Sequence, residues 1–341
     1  MKATAHQSTF ALTAPLFLFV VLLSLALPQY SAAHEARPAY LEVEQNLSDE
    51  LRINWTRPIR DGRVLAIHPV FPGSCELIGN KTKLEMNSVL HERWQLACEA
   101  AVFSEGKLSI AGLENVISDV LLRFKNKEGF QNTQVLNRKN PDFEFASTDA
   151  EIESIAPYYF RLGIEHILTG IDHLVFVLGL LFLVPGLVNL LKTITAFTVA
   201  HSVTLAAAIL GYVHVPSAPV EAIIALSIVF LAREIVADTG QGMSRRFPWL
   251  VAAVFGLVHG LGFAGGLSEI GLPENEIPMA LLMFNLGVEA GQLAFVLVAL
   301  LFLKLVERVV TGRQENLQRI SAYAMGGLAS FWLIERIGGY Y

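Results

Sequence analysis

The spacing of apolar and polar positions changes near residue 150, dividing the chain into two regions. Before that point, short runs alternate apolar and polar side chains, which is typical of half-buried β-strands. The clearest run is residues 40–44, and residues 51–55, 94–98, 107–110 and 120–124 are further candidate strands. Turn-forming Gly, Pro and Asn separate them, and many short strands at this spacing predict a small all-β, sandwich-like domain over residues 34–150.

Beyond an acidic connector at residues 151–161, the apolar runs become long enough to cross a bilayer. We expect six helices, each near or above the roughly 20 residues that a membrane span needs. Their predicted ranges are 162–184, 187–210, 218–237, 248–267, 278–303 and 319–337. The second region is therefore predicted to be a membrane all-α helical bundle of about six transmembrane helices over residues 162–337.

The N-terminal apolar run and the positions of Lys and Arg in the loops predict the membrane topology. Lys2, an apolar run at residues 15–28 and the small residues before position 34 predict a signal peptide over residues 1–33, with an uncleaved anchor as the alternative. The loops after the third and fifth helices carry arginines, whereas residues 211–217 and 268–277 contain no Lys or Arg. Positive loops face the cytoplasm, so we expect a multi-pass protein with an extracytoplasmic N-terminal domain.

Composition narrows the class of protein further. The two cysteines, Cys75 and Cys98, lie in the region predicted to be exported, so a disulfide is expected, with two reduced buried thiols as the alternative. A net charge of −6 gives no support for nucleic-acid binding. The chain has no phosphate-binding glycine loop followed by Lys, so ATP is not an expected ligand.

Ionisable side chains inside the apolar segments are the main functional signal, because charged groups are costly in hydrocarbon. The candidate metal ligands are His166, Asp172, His173, His201, His259, Asn285 and Glu289. His166 and His173 are seven residues apart, which would place them on one face of a continuous helix. Asp172 is either a neighbouring ligand or a group that fixes the tautomer of an imidazole.

Imidazole with a few carboxylates suits divalent nickel, copper, zinc or iron, and it equally suits a proton relay. Further metal candidates are His34, which cleavage would leave at the N-terminus, Glu221 and Glu234. The structural alternatives are a headgroup-level position for Glu221, an interfacial pair with Arg233 for Glu234, and no ligand role for His34.

The membrane region resembles the HupE/UreJ family. The resemblance rests on the H-x5-D-H element from His166 to His173 and on the segments around His201, His259 and Glu289, and covers about residues 160–337. It implies a nickel or cobalt permease in a bacterial cytoplasmic membrane, with a transported divalent ion and no tightly bound cofactor. The chain departs from better-characterised members at Phe255 and Gly262, which stand where a His and a Glu are expected, so Ni, Co, Cu, Zn and Fe stay undistinguished.

Three functional hypotheses follow. The first is a metal permease, which is not an enzyme. The second is a membrane-anchored metal-binding or accessory protein whose external domain meets an extracytoplasmic partner. In this version His34 chelates a metal with His68 or His91. The third is a proton-coupled channel or an intramembrane enzyme.

Overall fold

The computed structural model describes residues 38–60, 62–86, 89–116, 118–145, 155–213, 215–237, 242–262, 277–309 and 314–338. The predicted signal peptide and His34 lie outside the described residues.

The N-terminal region is β-rich and forms two sheets. Its strands are β1 (Ala39–Gln45), β2 (Glu50–Arg60), β3 (Arg63–Val64), β4 (His68–Val70), β5 (Cys75–Met86), β6 (Val89–Cys98), β7 (Lys107–Ala111), β8 (Val120–Lys125), β9 (Gln131–Leu136) and β10 (Asp142–Glu144), with a short helix α1 (Val102–Glu105) before β7. The larger sheet has the order β5-β6-β2-β1-β8-β9, with β3 paired to β2, and the smaller has the order β10-β7-β4. All five predicted strand segments lie within observed strands.

Alternation along the strands explains the core of this region. In β1 the side chains of Leu41 and Val43 are buried, whereas the intervening Glu42 and Glu44 are partly exposed. The buried face joins Trp55 of β2 and residues of the smaller sheet in one hydrophobic cluster. Burial of such side chains contributes about 25 cal/mol per Å² of apolar surface, so this cluster is the main source of stability for the two sheets.

Two features tie β6 to its neighbours. Cys75 of β5 and Cys98 of β6 form the predicted disulfide. Arg57 of β2 makes a buried ion pair with Glu92 of β6, and Lys83 Nζ lies 2.9 Å from the same carboxylate. Burial opposes ionisation of Glu92, but the hydrogen bonds and charges of these two cations outweigh it and lower its pKa.

The C-terminal region is helical. Its helices are α2 (Ile155–Thr169), α3 (Ile171–Leu183), α4 (Leu187–Ile209), α5 (Ser217–Ala237), α6 (Met243–Arg246), α7 (Pro248–Gly262), α8 (Ile277–Val309) and α9 (Gln314–Gly338). By length and composition, two helices of the described chain could cross a membrane, namely α4 and the part of α8 from Ile277 to Leu305. A third candidate span is the pair α2 and α3 taken together. Two or three of the six expected spans are therefore found by these criteria in the described residues, where α7 is short and α5 and α9 carry charged residues.

The expectation of one straight helix over residues 162–184 is wrong. The chain is helical from Ile155, but it bends by 75° between α2 and α3. The break lies at Gly170, a residue type with low helix propensity. A Cβ atom at Gly170 would lie 2.9 Å from the His166 carbonyl oxygen and 2.9 Å from His173 Nδ1, so the bend leaves room only for glycine. His166 and His173 consequently lie on two helices rather than on one face of a single helix.

Candidate metal site

Four buried histidines from four helices converge in the interior of the helical region. His166 lies in the last turn of α2, His173 near the start of α3, His201 in α4 and His259 in the last turn of α7. One side-chain nitrogen from each of His166, His173 and His201 lies within 4.8 Å of the others. His259 adjoins this group, with 4.9 Å between its ring centroid and that of His173. We call these four residues the histidine cluster.

The bend at Gly170 and one close helix contact bring these residues together. The bend lets the rings of His166 and His173 approach to 5.0 Å between centroids. Helices α4 and α7 meet at glycines, since a Cβ at Gly256 would lie 2.4 Å from the Phe197 carbonyl oxygen and one at Gly260 would lie 2.3 Å from that of His201. Gly256 and Gly260 are four residues apart, a spacing of small residues that is typical of close helix approach.

Buried aromatic rings pack against the histidine cluster. Phe197 stacks on His201 at 6.2 Å and lies 5.0 Å from His259. Phe176 lies 5.1 Å from His259, and Phe284 lies 5.5 Å from His166. Because Phe176, Phe197 and Phe284 are themselves buried, electrostatic interactions inside the cluster are weakly screened by solvent.

Hydrogen bonds define the tautomers of three of the imidazoles. His173 Nδ1 donates to Asp172 Oδ1 at 3.0 Å, and His201 Nδ1 donates to Asn285 Oδ1 at 3.4 Å. Ser227 Oγ already donates to the Ile224 carbonyl, so at 3.3 Å it accepts from His259 Nε2. In the neutral form of each ring, the other nitrogen carries the lone pair with which imidazole binds a metal.

These lone-pair nitrogens make the cluster suitable for a cation. Within the described residues, His173 Nε2, His201 Nε2 and His259 Nδ1 are buried and make no hydrogen bond. Buried polar atoms are rarely left without a partner, since each costs about 1–3 kcal/mol. A metal ion coordinated by the imidazoles would satisfy such atoms. The side chains present therefore fit a divalent transition metal.

The other predicted ligands lie around the cluster rather than within its group of close nitrogens. Asp172 Oδ1 accepts two hydrogen bonds from His173, one of 3.0 Å from the ring Nδ1 and one of 2.9 Å from the backbone N–H. On α8, Asn285 contacts His201, whereas Glu289 accepts a hydrogen bond of 2.6 Å from Thr195. Glu234 pairs with the exposed Arg233. The structure thus brings Asp172 and Asn285 to the rings as orienting groups and places Glu234 in a separate ion pair.

Sequence reasoning missed one charged residue beside the site. Arg336, in the last turn of α9, forms ion pairs of 3.5 Å with the carboxylates of Asp172 and Glu221. The sequence could have indicated this residue, because Arg336 lies within the last predicted apolar helix. A charged side chain in such a segment needs a polar or charged partner.

In the β-rich region, the two histidines predicted to chelate a metal with His34 have other contacts. His91 Nδ1 lies 3.2 Å from Thr56 Oγ1, and burial and the charge of Arg93 lower the pKa of His91. His68 Nδ1 lies 3.4 Å from Arg57 Nη1. The adjacent guanidinium makes the His68 nitrogen a poor position for a cation.

Comparison with protein families identifies the helical region. A family model described as HupE / UreJ protein matches residues 144–336, which is more than half of the chain. The matched range contains α2 to α8, most of α9 and every residue of the histidine cluster. A comparison with curated proteins finds no match.

Proposed function

Since this chain belongs to the HupE/UreJ family, we propose that it is an integral membrane protein that binds and conducts a divalent transition-metal ion. The observation that carries the proposal is the group of three buried histidines with nitrogens within 4.8 Å of one another. Ionisable groups are costly in an apolar helical region, so their presence there supports a role in an ion pathway.

The proposed arrangement in the membrane is a bundle of six spans in a bacterial cytoplasmic membrane, with the β-rich region outside. The bent pair α2 and α3 would be the first span, followed by α4, α5, α7, α8 and α9. The distribution of Lys and Arg between alternate loops supports this orientation. In this arrangement the charged residues of α5 and α9 lie towards the helix ends or pair inside the bundle.

The donor set favours a transition metal as the transported substrate. Neutral imidazoles bind nickel, cobalt, copper, zinc and iron, whereas magnesium and calcium prefer oxygen ligands. Imidazole binds a metal in its neutral form, and the carboxylate beside the rings, Asp172, is engaged with His173 and Arg336. Conduction needs an ion that binds well enough to enter and weakly enough to leave, and a neutral donor set supports such release. Membership of the family supports nickel or cobalt as the first ions to test.

Transport into proteoliposomes tests the proposal. Full-length protein should take up Ni²⁺ or Co²⁺ along its concentration gradient, and His173→Ala should abolish uptake because it removes a central ring of the cluster. The matched control is His91→Ala, which removes a histidine from β6 and should leave uptake unchanged. Uptake that persists at the wild-type rate in His173→Ala would contradict the proposal. Proton flux without added metal would instead favour a relay through the same imidazoles.

A further inference from the structure

Arg336 is a cation held between two carboxylates at the edge of the histidine cluster. Its Nη2 lies 3.5 Å from Asp172 Oδ2 and its Nε lies 3.5 Å from Glu221 Oε2. Its Nη1 donates a 2.9 Å hydrogen bond to the Glu221 backbone carbonyl. The side chains of Arg336 and Asp172 are 12% and 14% exposed, so solvent screens this pair weakly, whereas Glu221 is 46% exposed and its ion pair is screened more.

The positions of these groups in their helices favour this arrangement. Asp172 lies in the first turn of α3, where the helix dipole stabilises a negative charge, and Arg336 lies in the last turn of α9, where it stabilises a positive one. The planar guanidinium presents several N–H groups at once, so it can reach both acids and a carbonyl. A lysine would keep the charge but would lose this fork of donors.

Asp172 connects Arg336 to the cluster, because its other oxygen accepts the Nδ1–H of His173. With Arg336 present, the two carboxylates and the guanidinium sum to one negative charge; without it, they sum to two. A divalent ion at the imidazoles is attracted by each carboxylate and repelled by the guanidinium. Arg336 therefore opposes metal binding without contacting the metal.

We propose that Arg336 is a built-in counter-cation that neutralises Asp172 and Glu221 and so keeps the affinity of the histidine cluster for a divalent cation low enough for release. The inference rests on the proposed function, since it needs a cation to bind at the cluster. Arg336 is in this sense a positioning residue that acts through Asp172.

The test compares Ni²⁺ binding and uptake by full-length variants. Arg336→Gln should lower the Kd for Ni²⁺ by about tenfold or more, the size of effect seen for groups that support metal ligands. In uptake assays both KM and kcat should fall, because the ion binds more tightly and leaves more slowly. Arg336→Lys should stay closer to wild type. Arg233→Gln, which removes an arginine from the separate pair with Glu234, is the matched control and should change neither quantity.

A second variant, Glu221→Gln, should change the Kd for Ni²⁺ in the opposite direction. Glu221→Gln leaves Arg336 with Asp172 alone, so the local charge rises to zero and the Kd for Ni²⁺ should increase. If Arg336→Gln fails to elute as a folded protein, Glu221→Gln decides the question. An unchanged or lower Kd in Glu221→Gln would overturn the inference.

The outcomes separate this inference from the proposed function. If wild-type protein binds none of Ni²⁺, Co²⁺, Cu²⁺, Zn²⁺ and Fe²⁺, or if His173→Ala binds as tightly as wild type, both proposals are overturned. If wild type binds and His173→Ala does not, but Arg336→Gln weakens binding or leaves it unchanged, only the role of Arg336 is overturned.

Discussion

Gly260→Ala places one methyl group into the contact that aligns two helices of the site. The new Cβ would lie 2.3 Å from the His201 carbonyl oxygen and 2.3 Å from Thr204 Oγ1. Ordinary van der Waals contact begins near 3.4 Å, so α7 must move away from α4 by about 1 Å. Overpacking of this kind costs about 1–3 kcal/mol, against a helix-propensity gain for Ala of up to about 1 kcal/mol.

The expected result is a protein destabilised by up to about 2 kcal/mol, with weaker metal binding because His259 follows the displaced helix. Thermal unfolding in detergent measures the first effect, and Ni²⁺ titration measures the second. Gly327→Ala is the matched control, since a Cβ at Gly327 of α9 meets no atom within 4 Å. A Gly260→Ala protein with the Tm and Kd of wild type would refute the packing argument.

Three further predictions concern other parts of the chain. Gly170→Ala should weaken Ni²⁺ binding by about 10–100-fold, because its Cβ would displace the His173 ring from its hydrogen bond; an unchanged Kd would count against that bond as an orienting contact. Replacing Cys75 and Cys98 together by Ser should destabilise the β-rich region by about 3 kcal/mol, because the disulfide that restricts the unfolded chain is lost. Urea unfolding followed by tryptophan emission measures this effect, and equal urea midpoints for wild type and the variant would contradict it. Because the pKa of Glu92 is lowered in the folded protein, its stabilising contribution is present above the ordinary glutamate pKa of about 4.3 and is lost as the pH falls through the folded value. As the pH is lowered, the free energy of unfolding should therefore fall more steeply for wild type than for Glu92→Gln. The same dependence on pH in both proteins would rule this out.

Much of the candidate site was predictable because ionisable side chains are energetically costly in apolar segments, so their presence there indicates a functional site. That argument selects His166, His173, His201 and His259 without any knowledge of how the helices meet. The bend at Gly170 was not predictable from periodicity, because the residues on both sides of it are helical.

Long-range contacts account for the other differences. Arg336 is far from Asp172 in the sequence, so only the packing of α9 beside α5 and α3 shows that they pair. Strand β5 went unpredicted because it is an exposed edge strand with mostly polar side chains and no buried alternation. Strand β1 pairs with β8 in parallel, and such pairing between distant segments leaves no local signal.

X-ray absorption at the metal edge of the Ni²⁺-loaded full-length protein tests the central claim most directly, because it reports the ligands of the bound ion. The account predicts a nitrogen shell with the outer-shell scattering of several imidazoles, which is reduced in His201→Ala and unchanged in His91→Ala. A spectrum with oxygen ligands alone, or one that His201→Ala leaves unaltered, would contradict a metal site at the histidine cluster.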